Sequence, residues 1–451
     1  MGELDKSDRT ERPGFSGRIG FVLSAAGSAV GLGNIWRFPY LAAEYGGGIF
    51  LLVYVLVTLI FGFPIMAMEI AIGRKAGCCC VNAYGAVDRR ASFLGWLTSG
   101  ITLITLPYYC VIGGWVLKYA ALYITGEGSE AAATGYFQSF ISGFPEPLVW
   151  QILFIALAAA IIICGVKNGI ELANRFLMPA LIIIAVIVAG YSLTLPGALE
   201  GAAWYLTPDF SRFSFRTVLA AMGQMFWSLS LSSGIMVTFG AYLGRSQNIE
   251  HSVKQIELFD LGAAFISGLI IIPAVFAFSG GDQQALNSGA GLMFITLPGV
   301  FEAMPSGRII GMLFFLLVMF AAISSAISMM EVNTANLIER FGMKRWQAAL
   351  IMAGVLAVLG IPPALGYSLW NELRPFGLTI LDFEDIVGNS IVTPIAALLA
   401  CLFFGWVAHP RILTEEIRRG GGFKRRRSFE FTLRWLAPAV ILAVLVGSVV
   451  G

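Results

Sequence analysis

Residues 20–40 read GFVLSAAGSAVGLGNIWRFPY, an apolar stretch about one membrane span long. Gly27, Gly31 and Gly33 sit at its middle, and Asn34, Arg37 and Pro39 follow. In hydrocarbon every backbone N–H and C=O needs a partner within the protein. Closely spaced glycines loosen the helix, so the freed groups must line a protein cavity rather than face lipid. Residues 221–243, AMGQMFWSLSLSSGIMVTFGAYL, repeat the pattern with Ser228, Ser230, Ser232, Ser233 and Gly234 at mid-span. Taken singly, each stretch is equally well read as small residues that let helices pack closely. Taken together they are the first and sixth apolar spans. That is the separation expected when two five-helix repeats of inverted topology each open with a broken helix.

The surrounding chain agrees. Of 451 residues 57% are apolar and only 12% charged, and the mean hydropathy is +0.80, a membrane composition. With about 20 apolar residues needed per crossing, eleven spans are predicted near 17–40, 44–72, 93–124, 147–166, 176–195, 217–243, 258–279, 308–338, 346–365, 386–408 and 431–450. The expected fold is therefore all-α and integral to the membrane. A cytoplasmic tail at 1–16 precedes a core of ten helices in two inverted repeats at 17–408, a basic loop at 409–430 and an eleventh helix at 431–451.

An odd number of spans puts the termini on opposite sides. Arg74, Lys75, Arg89, Arg90, Lys167, Arg245, Lys254, Arg340, Lys344 and Arg345 fall in loops sharing the N-terminal side. The loop before the last span adds Arg411, Arg418, Arg419, Lys424, Arg425, Arg426 and Arg427. The positive-inside rule then predicts a cell-membrane protein with a cytoplasmic N-terminus and an outside C-terminus. A formal charge of +2 gives no reason to expect nucleic acid. The expected partners are the lipid bilayer and a small-molecule substrate, with no obligatory protein partner. Cys78, Cys79 and Cys80 are consecutive, and Cys110, Cys164 and Cys401 stand singly in apolar runs. Neither a disulfide framework nor a zinc site fits that spacing. His251 and His409 are far apart, so no catalytic residue is assigned and no enzyme is expected. The polar start MGELDKSDRTERPG does not read as a cleavable signal peptide.

Several long segments carry a resemblance. They are GSAVGLGNIWRFPYLAAEYGGGIFLLVY (27–54), FGFPIMAMEIAIGR (61–74), LPYYCVIGGW (106–115), QMFWSLSLSSG (224–234), GLMFITLPGVFEAMP (291–305) and MFAAISSAISMME (319–331). Together they resemble the neurotransmitter:sodium symporter family, of leucine-transporter fold, and in particular its short bacterial eleven-helix members. The match spans nearly the whole chain.

The resemblance implies two sodium sites, each built from the oxygen ligands a hard cation prefers. The first takes the Ala29 carbonyl, Asn34, Ser228, Asp260 and the substrate's own carboxylate. The second takes the carbonyls of Gly27, Val30 and Ala321 and the hydroxyls of Ser324 and Ser325. Outside the family context, hydroxyls such as Ser324 and Ser325 bond back to a carbonyl of the preceding turn. A hydropathy window alone places Asp260 at the edge of the seventh span, whereas the resemblance puts it deeper.

The substrate carboxylate is expected at the half-helix N-terminus near Leu32 and Gly33, where free amides favour an anion, with Tyr109 as an added donor. Read alone, Tyr109 is equally a packed ring with one hydrogen bond. The ammonium group is expected among Ala29, Phe226, Ser228 and Ser230, and the side chain among Thr105, Ser232, Ser233, Ala326 and Met329 beneath Trp227. Monoamine-carrying members place an aspartate where this chain has Gly31, so the substrate here should bring its own carboxylate.

Charged residues inside spans are usually functional. By resemblance Arg37 and Asp385 form an outer gate above Tyr109 and Trp227, with Gln224 near Arg37. Arg12 and Glu339 form an inner latch beside Phe15, although loop charges of this kind are also commonly just solvated. Glu69 orients the broken helices through backbone amides. Gly169 and Pro179 have the family's spacing for unwinding of the fifth span, and spacing alone fits an ordinary glycine and kink equally well.

The function implied is sodium-coupled import of hydrophobic or aromatic L-amino acids by alternating access. With Asp260 supplying a fixed negative charge, no chloride requirement is expected. Two rivals are a proton-coupled or antiport permease of the same fold, whose uptake survives sodium removal, and a channel or scaffold without saturable substrate binding.

Overall fold

A computed structural model describes residues 14–280 and 291–450, with side chains to residue 446. Among the described residues the chain is helical with no strand. Nine helices are long and apolar enough to cross a membrane, and a bent pair makes ten. That pair is α1 (Arg18–Ala29) and α2 (Gly33–Glu44), set at 51° to each other. Then come α3 (Gly48–Ala76), α4 (Arg89–Thr125), α5 (Glu146–Ile163) and α6 (Val166–Leu193). A second interrupted pair follows, α7 (Phe215–Ser228) and α8 (Ile235–Ala241). The chain continues through α9 (Ile249–Ser279), α10 (Gly307–Phe341), α11 (Arg345–Leu365) and α12 (Ile380–Val407). A short amphipathic helix, α13 (Arg411–Arg419), precedes α14 (Arg426–Val446).

Several helices begin earlier than their hydropathy suggests. α9 starts at Ile249, nine residues before the predicted span, so Asp260 lies within a helix and is 0% exposed. The edge position is thereby corrected. Polar residues at the starts of α6, α9 and α12 depress any sliding average, yet each start is tied to the bundle by side-chain partners.

Both interruptions fall where the small residues predict. Val30 leaves helical geometry (φ −79°, ψ 89°) after Ala29, and α2 opens with a wide π-helical turn, Gly33–Arg37. Between α7 and α8 the backbone reverses through Ser230 (φ 52°), Ser232 (φ 60°) and Gly234 (φ 78°). Two non-glycine residues in the left-handed region are costly and persist only where their surroundings hold them. Here the Ser232 N–H donates to Glu69 Oε1 at 2.7 Å, which is the orienting role expected of Glu69.

Among the described residues the core is one large apolar cluster with a small satellite of Cys79, Val81 and Ala335. α4 and α10 pack along their lengths and are stitched by polar pairs, Asn333 to Thr102 at 2.7 Å and Asn336 to Ser99 at 3.1 Å. On the face where α1 begins, buried Glu331 of α10 takes a hydrogen bond from Tyr242 (2.8 Å) and an ion pair from Arg345, whose Nε reaches the Ile162 carbonyl at 2.6 Å. Three helix ends meet the side of α10 in that knot. Nearby, Arg74 at the end of α3 is 3% exposed. It pairs with Glu416 of α13 at 2.9 Å and donates to the Gln247 carbonyl at 2.6 Å, fastening the basic loop to the bundle.

Candidate functional site

The two breaks face each other. Ser28 donates to Ser230 Oγ at 3.1 Å, and Ser230 donates to the Ser28 carbonyl at 2.9 Å. Around this contact lies a cavity of about 50 Å³. Of the residues predicted to hold substrate, Ala29, Gly31, Leu32, Gly33, Thr105, Tyr109, Phe226, Trp227, Ser228, Ser230, Ser233 and Met329 line it. Two predicted residues do not line this cavity. Ala326 is wholly buried in the core, and Ser232, turned away by its left-handed backbone, points its hydroxyl into protein without a partner.

At one end of the cavity the Tyr109 hydroxyl is buried without a hydrogen-bond partner. A methyl group built on Gly31 would lie 3.5 Å from that hydroxyl and 2.6 Å from Ser325 Oγ. The space above Gly31 is thus bounded by two hydroxyls and the start of α2, where Leu32 and Gly33 begin a new helix. A buried O–H donor left unsatisfied is costly, and a helix N-terminus adds free amides and a positive dipole end. This corner suits a carboxylate.

The residues expected at the first sodium site converge. Asp260 takes hydrogen bonds from Asn34 Nδ2 (2.9 Å) and Ser228 on Oδ1, and from Tyr54 (2.8 Å) on Oδ2. The Asn34 Oδ1 accepts from the Gly31 N–H at 3.3 Å. Carboxylate, amide and hydroxyl oxygens sit together, all buried. One carboxylate with neutral amide and hydroxyl oxygens is a donor set that suits a hard cation of low charge. Tyr54 escaped the sequence reading because a tyrosine among apolar residues carries no signal.

At the second site Ser325 reaches the Gly27 and Ser28 carbonyls at 3.4 and 3.2 Å. Ser324 bonds back to the Ala321 carbonyl at 3.0 Å, so α10 contributes one hydroxyl across to the broken helix and one along itself. Val30 and Ala321 are buried beside them. Asn174 of α6 was also missed. Its Oδ1 is buried, unpartnered, and so close to Gly27 that any side chain there would overlap it.

The predicted outer gate is not a made ion pair. Among the described residues no salt bridge joins Arg37 to Asp385. Instead Asp385 accepts from Tyr108 (2.8 Å) and Asn389 (2.7 Å), and Arg37 stands 5.8 Å from the centroid of the Trp227 ring. Both charges line a second cavity above the first, so the two partners flank an open vestibule and α12 supplies the contacts that Arg37 would otherwise make. Gln224 donates to the Gly33 carbonyl at 2.9 Å, and its Oε1 accepts nothing from Arg37.

On the opposite side Phe15 packs edge-on against Phe21, Phe239 and Tyr242. Glu339 accepts from the Cys79 N–H (2.9 Å) and from Asn82 (3.1 Å). Its expected partner Arg12 lies outside the described residues. Gly169 sits inside a π-helical turn, Val166–Glu171, and Pro179 inside α6, so the fifth span is wound at both positions. Glu171, unforeseen, holds the chain just before α1 through the Ser16 N–H at 2.8 Å and pairs with Arg175 of its own helix at 2.7 Å. Ser28, Ile101, Leu231, Ile235, Asn389 and Thr393 also line the central cavity without having been predicted.

Comparison with known proteins agrees with this geometry. The family model described as the sodium:neurotransmitter symporter family matches residues 12–131 and 141–451. An uncharacterized sodium-dependent transporter of Bacillus subtilis, YhdH, is 36% identical over 439 residues, covering 95% of this chain and 96% of that one. A sodium-dependent transporter of Methanocaldococcus jannaschii is 31% identical, covering 96% and 90%. The crystal structure of MhsT in complex with L-phenylalanine superposes with a TM-score of 0.88 at 36% identity, covering 97% of this chain and all of that one. The helical fold with its two interrupted helices therefore superposes over nearly its whole length on a protein of leucine-transporter fold, and this chain belongs to the sodium:neurotransmitter symporter family.

Proposed function

We propose that this sodium-coupled membrane transporter imports hydrophobic or aromatic L-amino acids, one molecule at a time, by alternating access. The observation that carries the substrate reading is the unpartnered Tyr109 hydroxyl at the N-terminus of α2, above a glycine that offers no carboxylate of its own. An amino acid's carboxylate satisfies that hydroxyl and the freed amides. Its ammonium meets the carbonyl and hydroxyl oxygens around Ala29, Phe226 and Ser230. The relative bound to L-phenylalanine supports the same class.

Sodium at the Ala29–Asn34–Ser228–Asp260 cluster touches the substrate carboxylate, so each ligand raises the affinity of the other. A second ion among Gly27, Val30, Ala321, Ser324 and Ser325 ties α10 to the broken helix. Asp260 balances the first ion's charge, which makes chloride dispensable. Arg37 swings from Trp227 towards Asp385 as the outer gate closes, and the α1 start, held by Phe15 and the Arg12–Glu339 latch, releases as the α6 segment between Gly169 and Pro179 unwinds.

In this reading α7 and α8 together make the sixth span and bring the total to eleven, the N-terminus is cytoplasmic and the C-terminus lies outside. The test is a thermal-shift screen of the purified protein against all amino acids, in sodium and in potassium. A ligand that binds only the folded state raises its stability. Stabilisation by apolar or aromatic L-amino acids in sodium alone supports the proposal, and stabilisation that ignores the cation rejects it.

A further inference from the structure

The central cavity has polar side chains that neither ion site nor backbone-group recognition uses: Thr105, Ser233, Asn389 and Thr393. Each has already committed its hydrogen-bond donors to the protein. The Thr105 hydroxyl donates to the Ile101 carbonyl at 3.0 Å, Thr393 to the Gly388 carbonyl at 2.8 Å, and Ser233 to the Ser230 carbonyl at 2.8 Å. Asn389 Nδ2 donates both to Asp385 Oδ1 at 2.7 Å and to Tyr108 Oη, whose own hydroxyl donates to Asp385 at 2.8 Å. A carboxylate only accepts, so the nitrogen of this amide must face Asp385 and its orientation is fixed. What remains for a ligand is Asn389 Oδ1 and the hydroxyl lone pairs. The Trp227 indole nitrogen is turned against Gly33.

The cavity is thus divided by hydrogen-bond sense. An unspent donor, the Tyr109 hydroxyl, stands at the carboxylate corner, and acceptors stand along the wall made by α4, α12 and the α7–α8 break. We infer that the side-chain subsite is an acceptor wall that favours amino acids whose side chain carries a hydrogen-bond donor, an indole N–H or a phenol O–H, over isosteres lacking it, with Asn389 as the principal specificity residue. This rests on the amino-acid reading above and sharpens it. The π-helical turn Ile386–Val392 of α12 is the local cause. It widens the helix by one residue per turn, and the Thr393 hydroxyl accordingly bonds five residues back to Gly388, with Asn389 and Thr393 both on the cavity wall.

A ligand without a donor leaves those acceptors with no partner, and one hydrogen bond gained on binding changes affinity by about 2- to 13-fold. The experiment uses the full-length purified protein in saturating sodium and measures competition binding for two matched pairs. These are L-tyrosine against L-phenylalanine, and L-tryptophan against its benzothienyl analogue, in which sulfur replaces the indole N–H. The donor-bearing member of each pair should bind about tenfold more tightly. In Asn389→Leu that ratio should fall towards one, and in Thr393→Val it should fall partway. A purely structural role for either residue weakens both members alike and leaves the ratio unchanged, which overturns the assignment. Equal affinities within both pairs in the wild type overturn the acceptor wall while the amino-acid reading stands. If no aromatic amino acid binds at all, the proposed substrate class falls and this inference with it.

Discussion

In an Asp260→Asn variant the side chain keeps its volume and one carbonyl oxygen. The donors around it also survive: Asn34 Nδ2 at 2.9 Å and Ser228 on one oxygen, Tyr54 at 2.8 Å on the other. With the new amide nitrogen facing Tyr54, the phenol rotates to accept, so folding loses at most about one hydrogen bond, roughly 0.5–1.5 kcal/mol. The larger effect falls on sodium. Two unit charges 4 Å apart attract by about 4 kcal/mol at an effective dielectric of about 20. The retained amide oxygen returns part of this, leaving a loss of about 2–3 kcal/mol, or about 30- to 150-fold in sodium affinity. The assay is a sodium titration of substrate-dependent thermal stabilisation at constant ionic strength, run in chloride and in gluconate. Wild-type protein should respond alike in both anions. The variant should need far more sodium and should recover in chloride better than in gluconate. A half-saturating sodium concentration equal to wild type would remove Asp260 from the ion site, and wild-type uptake that collapses in gluconate would refute the charge-balance argument.

Removing both hydroxyls in Ser324→Ala with Ser325→Ala strips the second site of its side-chain oxygens, and sodium dependence of binding should weaken on the order of tenfold or more, as the loss of two ligand oxygens at about 1 kcal/mol each implies; an unshifted sodium titration would count against the site. Gly31→Asp puts a carboxylate between Tyr109 and Ser325. Amino-acid binding should then fall by about two orders of magnitude, a loss of about 3 kcal/mol, while the matching decarboxylated amine, inert on wild type, binds the variant; competition binding with the two ligands decides. Glu331→Ala strands Arg345 at a four-helix contact, and losing one member of a buried pair costs about 3–5 kcal/mol. The thermal midpoint in detergent should drop markedly, and an unchanged midpoint would show the pair to be dispensable.

Much of this was legible in the sequence because breaking a helix in hydrocarbon takes particular residues. Glycine and serine clusters at 27–33 and 228–234 announce both interruptions, and the resemblance then assigns the oxygens. What escaped depends on geometry that composition does not record. Asn389 and Thr393 sit in a helix that reads as an ordinary apolar span, and only its π-helical register brings them to the cavity wall. Ser232 and Ser233 are chemically alike, and only the left-handed backbone at Ser230 and Ser232 decides that one faces the cavity and its neighbour does not. Glu331, Glu171 and Asn174 are single polar residues whose partners lie on other helices, so nothing near them in sequence marks their role. Arg37 and Asp385 line one vestibule without touching, because a resemblance carries residues across and not the conformation in which a gate is closed.

Arg74 bears on how the protein is made. Its guanidinium ends buried between the Gln247 carbonyl and Glu416, and the two halves of the ion pair are separated by 342 positions in the chain. At translation speeds of about 5–20 residues per second, Arg74 emerges roughly 20–70 s before its carboxylate exists. During that interval the charge has to stay in water or among lipid headgroups, so the end of α3 cannot seat fully while the later helices are being inserted. Once α13 is in place, Glu416 neutralises the arginine and fixes the end of α3 to the bundle.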